Sequence, residues 1–302
     1  MTSDQTHRQL PLGEEIFLDH VGHFSADADA ATVALVSAGF FATPRSVQVS
    51  PDGAPTGTGN VTAMFASGYI EVLYKTADTQ LGRELDLAIA RYAGVHLAAF
   101  SVSDASAAHR RLESSGFRMR PIAPMQRPVD TAAGPDTAKF TVTRVERGEM
   151  AEGRIQILAH HTEAAVWQPR WLTHPNGATG LADIVIASAN VDEAAARFSR
   201  FTGTPAVDNA FGKAIRLDRG GVQLMTAEAF AKLASDIAVP SLPFIGLYAI
   251  TVRSLGVLCE SLRGGGLPFA GRDGCVFARF PSALGTGGWV FAETPDRLPW
   301  RA

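Results

Sequence analysis

Two stretches decide the reading of this chain, LDHVGHF at 18–24 and GVHLAAFSV at 94–102. Each is a short apolar strand pattern carrying one histidine, His20 and His96. Each runs into an alanine-rich helical pattern that stops at a Gly-Phe pair, Gly39-Phe40 and Gly116-Phe117. Several strands later each is completed by a polar residue inside an apolar run, Glu71 in IEVL (70–73) and Gln156 in IQIL (155–158). Two such half-units would each bring one imidazole and one oxygen donor to a shared centre.

Working outward, the strand–helix pattern recurs twice more in weaker form, as LADIVIAS (181–188) leading into NVDEAAARFSRFTG (190–203) and IGLYAITV (245–252) leading into SLGVLCESLRGGG (254–266). In every copy β-branched and aromatic residues favour a strand, an Asp, Asn or Ser supplies a helix start, and glycine ends the helix. Short apolar runs punctuated by Gly and Pro follow, such as TGNVTAMFASGYIEVLY (58–74), KFTVTRV (139–145) and KAIRLDRGGVQLMT (213–226), and these read as small antiparallel sheets. Extra helical patterns at 82–93 and 226–236 serve as connectors. The fold class is therefore α+β, with a unit of strand, helix and about three strands used four times. One such unit exposes an apolar sheet face and must pair to cover it, so four units form two domains with cupped sheets. Residues 1–164 form the first domain, with units at about 16–75 and 94–161. The Trp- and Pro-rich segment AVWQPRWLTHPNGATG (165–180) is the linker, and 181–302 form the second domain, with units at about 181–226 and 244–294.

A chain of 302 residues can bury a proper core in each half. Its 27 basic and 30 acidic residues leave a net charge of −3, which gives no concentrated basic face for nucleic acid or anionic membrane. No apolar run reaches the roughly 20 residues needed to cross a bilayer, and the N-terminal MTSDQTHRQLPLGEE shows no secretory signal, so the expectation is a cytoplasmic protein. Its two cysteines, Cys259 and Cys275, are expected to be reduced and structural.

With these motifs in hand, the chain resembles the vicinal oxygen chelate superfamily, and within it the glyoxalase-like proteins, along essentially its whole length. The ordered series LDHV, IEVL, VHLAAF and IQIL carries the resemblance more specifically than any one motif. The resemblance implies paired βαβββ units that curl into a cup, with metal ligands on the first and last strands of each unit. Those positions are His20, Glu71, His96 and Gln156. Two imidazoles and a carboxylate suit a divalent transition metal, with zinc, nickel, iron and manganese all open. Asp183, Gln223, Gly246 and Val290 fall at the matching positions of the second domain, and glycine and valine cannot ligate, so that domain is expected to be metal-free.

Gln156 is the departure from the family pattern. Glyoxalase I enzymes have a glutamate there that also acts as base, and an amide cannot take up a proton at useful pH. Two histidines and one glutamate match extradiol ring-cleaving dioxygenases in ligand type, although there the glutamate lies in the later unit. The first reading is a metal-dependent enzyme, lyase, isomerase or ring-cleaving dioxygenase, acting on a small oxygen-rich organic molecule. The alternative is a non-catalytic protein that binds and sequesters a small molecule. No catalytic base stands out, and homodimerisation is an open option rather than a requirement.

The plainer readings stand beside these. His20 and His96 could be hydrogen-bonded sheet histidines. His23, an odd number of residues after His20, is expected to face the other way and be structural or on the surface. His160 and His161 point to opposite faces of a strand and are expected to pack or hydrogen-bond, with His160, sharing parity with Gln156, a candidate for the pocket rim. Arg154 has that parity too and is a candidate to meet an anionic substrate group, against a plain ion-pair role. His174 is expected to pack, and the glycines 264–266 to stop a helix.

Overall fold

The computed structural model describes residues 8–301. The first unit runs β1 (Phe17–Phe24), α1 (Ala28–Ser37), β2 (Ser46–Val49), β3 (Pro55–Met64) and β4 (Tyr69–Lys75). Helix α2 (Gln80–Arg91) leads into the second, β5 (Gly94–Ser101), α3 (Ala105–Ser114), β6 (Ala123–Thr131), β7 (Gly134–Arg144) and β8 (Arg154–His160). After a short α4 (Glu163–Val166) and a 3₁₀ turn at Pro169–Trp171 comes the third, β9 (Ala178–Ser188), α5 (Val191–Thr202), β10 (Ala206–Asn209), β11 (Gly212–Arg216) and β12 (Gly221–Thr226). Helix α6 (Ala227–Leu233) connects to the fourth, β13 (Phe244–Val252), α7 (Leu255–Gly264), β14 (Phe269–Arg272), β15 (Cys275–Arg279) and β16 (Gly288–Ala292). The four βαβββ units pair as two tandem cupped domains.

Each unit helix starts on a short polar side chain that accepts backbone N–H groups: Asp27, Asp104, Asn190 and Ser254. This satisfies amides that the first helical turn leaves open. Gly39 leaves α1 at φ +80°, a left-handed turn that a side chain would resist. The apolar stripes of these helices pack on the outer face of the sheet, where Leu35, Leu112, Phe198 and Leu258 share one core cluster with Leu18, Ile157 and Ile184.

In each unit the first strand pairs in parallel with the last, β1 with β4, β5 with β8, β9 with β12 and β13 with β16. Strands β1 and β5 pair antiparallel, and a β2–β6 bridge at Val49↔Gln126 closes the first domain into a ring of eight strands. In the second domain β9 pairs with β13, while β10 and β14 end the sheet and leave that domain open. The Val95↔Ile245 pair joins β5 to β13 and makes one sheet of both, and isolated bridges at Phe17↔Arg219, Ser67↔Gly180 and Gly94↔Thr286 also cross between them.

Strand β6 is an element that sequence patterning does not reveal. Its sequence APMQRPVDT contains two prolines, which normally argue against a strand. It pairs along its full length with β7 but touches β2 at one position, so most of its other edge needs no N–H donors.

Candidate active site: an arginine-lined cup in the first domain

Inside the eight-stranded ring, His20 from β1, Glu71 from β4 and Gln156 from β8 line one small cavity, together with Arg127, Arg144, Arg154 and His160. Its floor is apolar, built from Leu73, Leu97, Met125, Val142 and Leu158. The free space is only about 30 Å³, enough for a water, because long polar side chains fill the ring.

The polar groups form two connected sets. His20 stacks on Tyr69 at 4.4 Å between ring centroids, and its Nδ1 lies 2.7 Å from Asp19 Oδ1. Asp19 is fully buried and also meets His160 Nε2 at 3.1 Å. Burial opposes ionisation of Asp19, yet the imidazoles of His160 and His20 hold its carboxyl well below the usual carboxylate range. With Nδ1–H directed at Asp19, His20 Nε2 faces Glu71 Oε2 at 3.5 Å. Glu71 Oε1 accepts from Asn60 Nδ2 at 2.6 Å and Gln48 Nε2 at 3.4 Å.

The second set is cationic. Arg144 Nε donates to Gln156 Oε1 at 2.9 Å and packs against Met125 Sδ. Burial, with the like charges of Arg154 and Arg120, pulls the Arg144 guanidinium down to about 9. Arg154 lies over the Phe24 ring and pairs with Glu84 at 3.3 Å. Arg127 is 9% exposed, and its side chain makes no hydrogen bond or ion pair among the described residues. Burial lowers its affinity for a proton while Tyr69 and Glu71 lean the other way.

His96 is not part of this cavity. The β1–β5 register slips by one residue at Asp19 and again at His96, so that His20 faces Ala99 and Gly22 faces Leu97. Along the parallel pairs, Gly22 matches Glu71 and Ala99 matches Gln156, which makes Leu97 the counterpart of His20 and His96 the counterpart of Asp19. The chemistry of this position is therefore apolar. The backbones are close here, since a Cβ on Gly22 would come within 2.9 Å of Leu97 Cβ. His96 instead packs against Tyr92, with 4.0 Å between ring centroids and the rings tilted by 31°, and lines a neighbouring chamber with Arg91 and Met150. The sequence holds a signal for this one-residue offset: His20 stands seven residues before the helix cap Asp27, and the residue seven before Asp104 is Leu97.

The remaining candidates fall in place. Arg154 and His160 both line the cup. His23 is buried between Leu284 O, 2.8 Å from Nδ1, and the Tyr248 hydroxyl, 2.9 Å from Nε2. His174 bridges Phe41 N and Met64 O. Arg127 and Arg144 were absent from the sequence-level candidates because they sit on β6 and the end of β7, where no family motif marks them.

In the second domain the matching positions are sealed. Asp183 takes a two-pronged ion pair from Arg301, at 2.6 and 2.8 Å, and a hydrogen bond from Trp300 Nε1 at 2.7 Å. Gln223 bonds Asn209, Gly246 has the Phe230 ring against it, and Val290 lies in an apolar cluster with Phe230, Leu298 and Trp300.

As a metal centre, the first cup has His20 Nε2 and Glu71 as converging donors. Leu97 replaces the second imidazole, and the Gln156 oxygen already accepts from a guanidinium. Among the described residues no three His, Cys, Asp or Glu side chains come together as a metal-binding group. This donor set does not fit a resident divalent metal of the four-position kind.

The family follows from sequence and fold together. Residues 18–202 match the model of the glyoxalase-like domain, and the chain belongs to that family, within the vicinal oxygen chelate superfamily. Similar solved structures include a hypothetical protein from Staphylococcus aureus, with TM-score 0.62 and 11% identity over 91% of this chain and 98% of that one. A mutant of 4-hydroxymandelate synthase from Streptomyces coelicolor superposes with TM-score 0.60 and 14% identity over 92% of each chain. A xylose isomerase-like TIM barrel/4-hydroxyphenylpyruvate dioxygenase fusion protein gives 0.58 and 11%, over 94% of this chain and 49% of that one. At such identities these likenesses establish the fold alone. No curated protein matches the chain in sequence. Among the described residues no helix is long and apolar enough to cross a membrane.

Proposed function

We propose that this chain binds a small organic anion in its first-domain cup and holds it through guanidinium groups rather than through a metal. Arg127 carries the reading. A buried guanidinium without a partner is costly, and an anion entering beside it would supply both the charge and the acceptors it lacks. Arg144, bonded to a neutral amide and a thioether, adds a second unmatched charge. Because the cup has so little free space, binding requires its side chains to shift.

The test is calorimetric titration with benzoate, at low and high salt, of wild type and Arg127→Met. Saturable binding that weakens about tenfold or more in the variant supports the proposal. Equal affinity in both proteins overturns it.

The metal-dependent lyase, isomerase or dioxygenase reading is favoured by one observation. Asp19 fixes the His20 tautomer as an outer carboxylate does for a ligating imidazole, leaving Nε2 beside Glu71. Near-stoichiometric metal in purified untagged wild type, lost in His20→Ala, would establish that reading over ours.

A further inference from the structure

Below the cup lies a larger chamber of about 280 Å³, under helix α2, and Arg144 and Arg154 line both spaces. Its polar character is mostly cationic. Arg91, Arg144 and Arg147 have no carboxylate ion pair among the described residues, while Arg120 and Arg154 share Glu84 at 2.9 and 3.3 Å. Arg120 Nε is buried without a hydrogen bond, its ion-pair partner Glu146, which also lines the chamber, standing 3.7 Å away. Its apolar wall includes Phe24, Met150 and Leu87, the last of which is 52% exposed on α2.

His96 supplies this chamber with something the arginines cannot, an acceptor. Its Nε2 lies 2.6 Å from the Tyr92 carbonyl, which only accepts, so Nε2 carries the hydrogen. Nδ1 then presents a lone pair, and no hydrogen bond engages it among the described residues. Burial pushes the imidazole down to about 4, against the opposing Tyr92 bond, so it stays neutral near pH 7.

We infer that this chamber houses the body of the ligand: an organic acid with an apolar body and a hydrogen-bond-donating group, its acid group on Arg144 and Arg154 and its donor on His96 Nδ1. This rests on the reading that guanidinium groups of the cup hold an organic anion: the acid group enters the cup between Arg144 and Arg154, in the space that Arg127 also lines, and the rest of the ligand lies outside the His20 cavity. It also gives the second motif histidine a role in recognition. Ligands with a hydroxyl should gain over those without one, because a donor would satisfy the His96 lone pair.

The experiment compares benzoate with meta-hydroxybenzoate by calorimetry on wild type, His96→Phe, Leu87→Trp and Arg127→Met, and follows the His96 nitrogen resonances during titration. The expected result is tighter binding of the hydroxylated acid to wild type, equal binding of both acids to His96→Phe, and about a tenfold loss both in Arg127→Met and in Leu87→Trp, whose indole would fill the chamber. The His96 Nδ1 resonance should move as it accepts a hydrogen bond. If Leu87→Trp does not fold, that resonance in wild type decides alone. Loss of binding only in Arg127→Met, with the His96 resonance unmoved, would place the ligand in the cup, overturning this inference while sparing the proposed function. No binding of either acid would overturn both.

Discussion

Arg144 and Gln156 are register partners across the β7–β8 pair, and the guanidinium Nε–H donates to the amide Oε1 at 2.9 Å. That bond uses the oxygen through which the amide would approach a metal, and it fixes a charged group between the two chambers. An amide here leaves the Arg144 charge available to a ligand, whereas a carboxylate would consume it.

Gln156→Glu should therefore weaken organic-anion binding by about tenfold, since the new carboxylate would compete for Arg144. Titration of benzoate into both proteins checks this. Unchanged affinity would mean that Arg144 does not face the bound anion.

Restoring an imidazole at the structural counterpart of His20 should create metal affinity. Leu97→His adds a nitrogen donor opposite His20 and Glu71 and gives three strong donors in the cup. Elemental analysis after zinc exposure is expected to find near-stoichiometric zinc in the variant and little in wild type. The same treatment of His96→Ala should leave the wild-type result unchanged.

Acid should destabilise the fold in a defined window. Burial holds His23 and His96 down to about 4, below the ordinary histidine value of about 6.5, so both stay neutral when folded. Between these values the unfolded chain binds more protons, and stability falls as pH falls, by up to about 1.4 kcal/mol per pH unit for each group. Asp19 acts lower: its depressed carboxyl contributes fully above the unfolded value of about 4, and that contribution is lost as pH drops further. Denaturant unfolding at about pH 7 and about pH 5 should show the slope, and His23→Phe should make it shallower.

The two domains are also tied by charge. Arg197 of α5 makes a two-pronged pair with Glu152, at 2.8 and 3.0 Å, and Glu152 is fully buried in the turn before β8. Glu152→Ala should cost about 3 kcal/mol, because it strands the guanidinium of Arg197 with only the exposed Glu193 as partner. Denaturant unfolding would measure this, and a loss under about 1 kcal/mol would mean the pair is idle.

Much of this architecture was legible before folding was considered. The four strand–helix starts, the caps Asp27, Asp104, Asn190 and Ser254, and the projection of Glu71 and Gln156 away from their apolar strand neighbours follow from patterns local in sequence. Strand β6 was hidden because its prolines are tolerated only through a nearly unpaired edge, which is a tertiary fact. His23 was legible as structural through strand parity, but not its partners Leu284 and Tyr248, which lie 261 and 225 residues away.

Sequence alone determined the repeat, the α+β class, the glyoxalase-like family and five polar residues of the cup, His20, Glu71, Gln156, Arg154 and His160, since strand period and helix capping act over a few neighbours. Tertiary structure decided that Arg127 and Arg144 enter the cavity, and it set His96 one place off the position that matches His20. A strand residue's place is set by its pairing register: β1 and β5 each skip one residue there, Asp19 and His96, so the residues that follow, His20 and Leu97, hold the matching places. The guanidinium groups of Arg127 and Arg144 meet His20 and Glu71 only because the ring of eight strands closes around them.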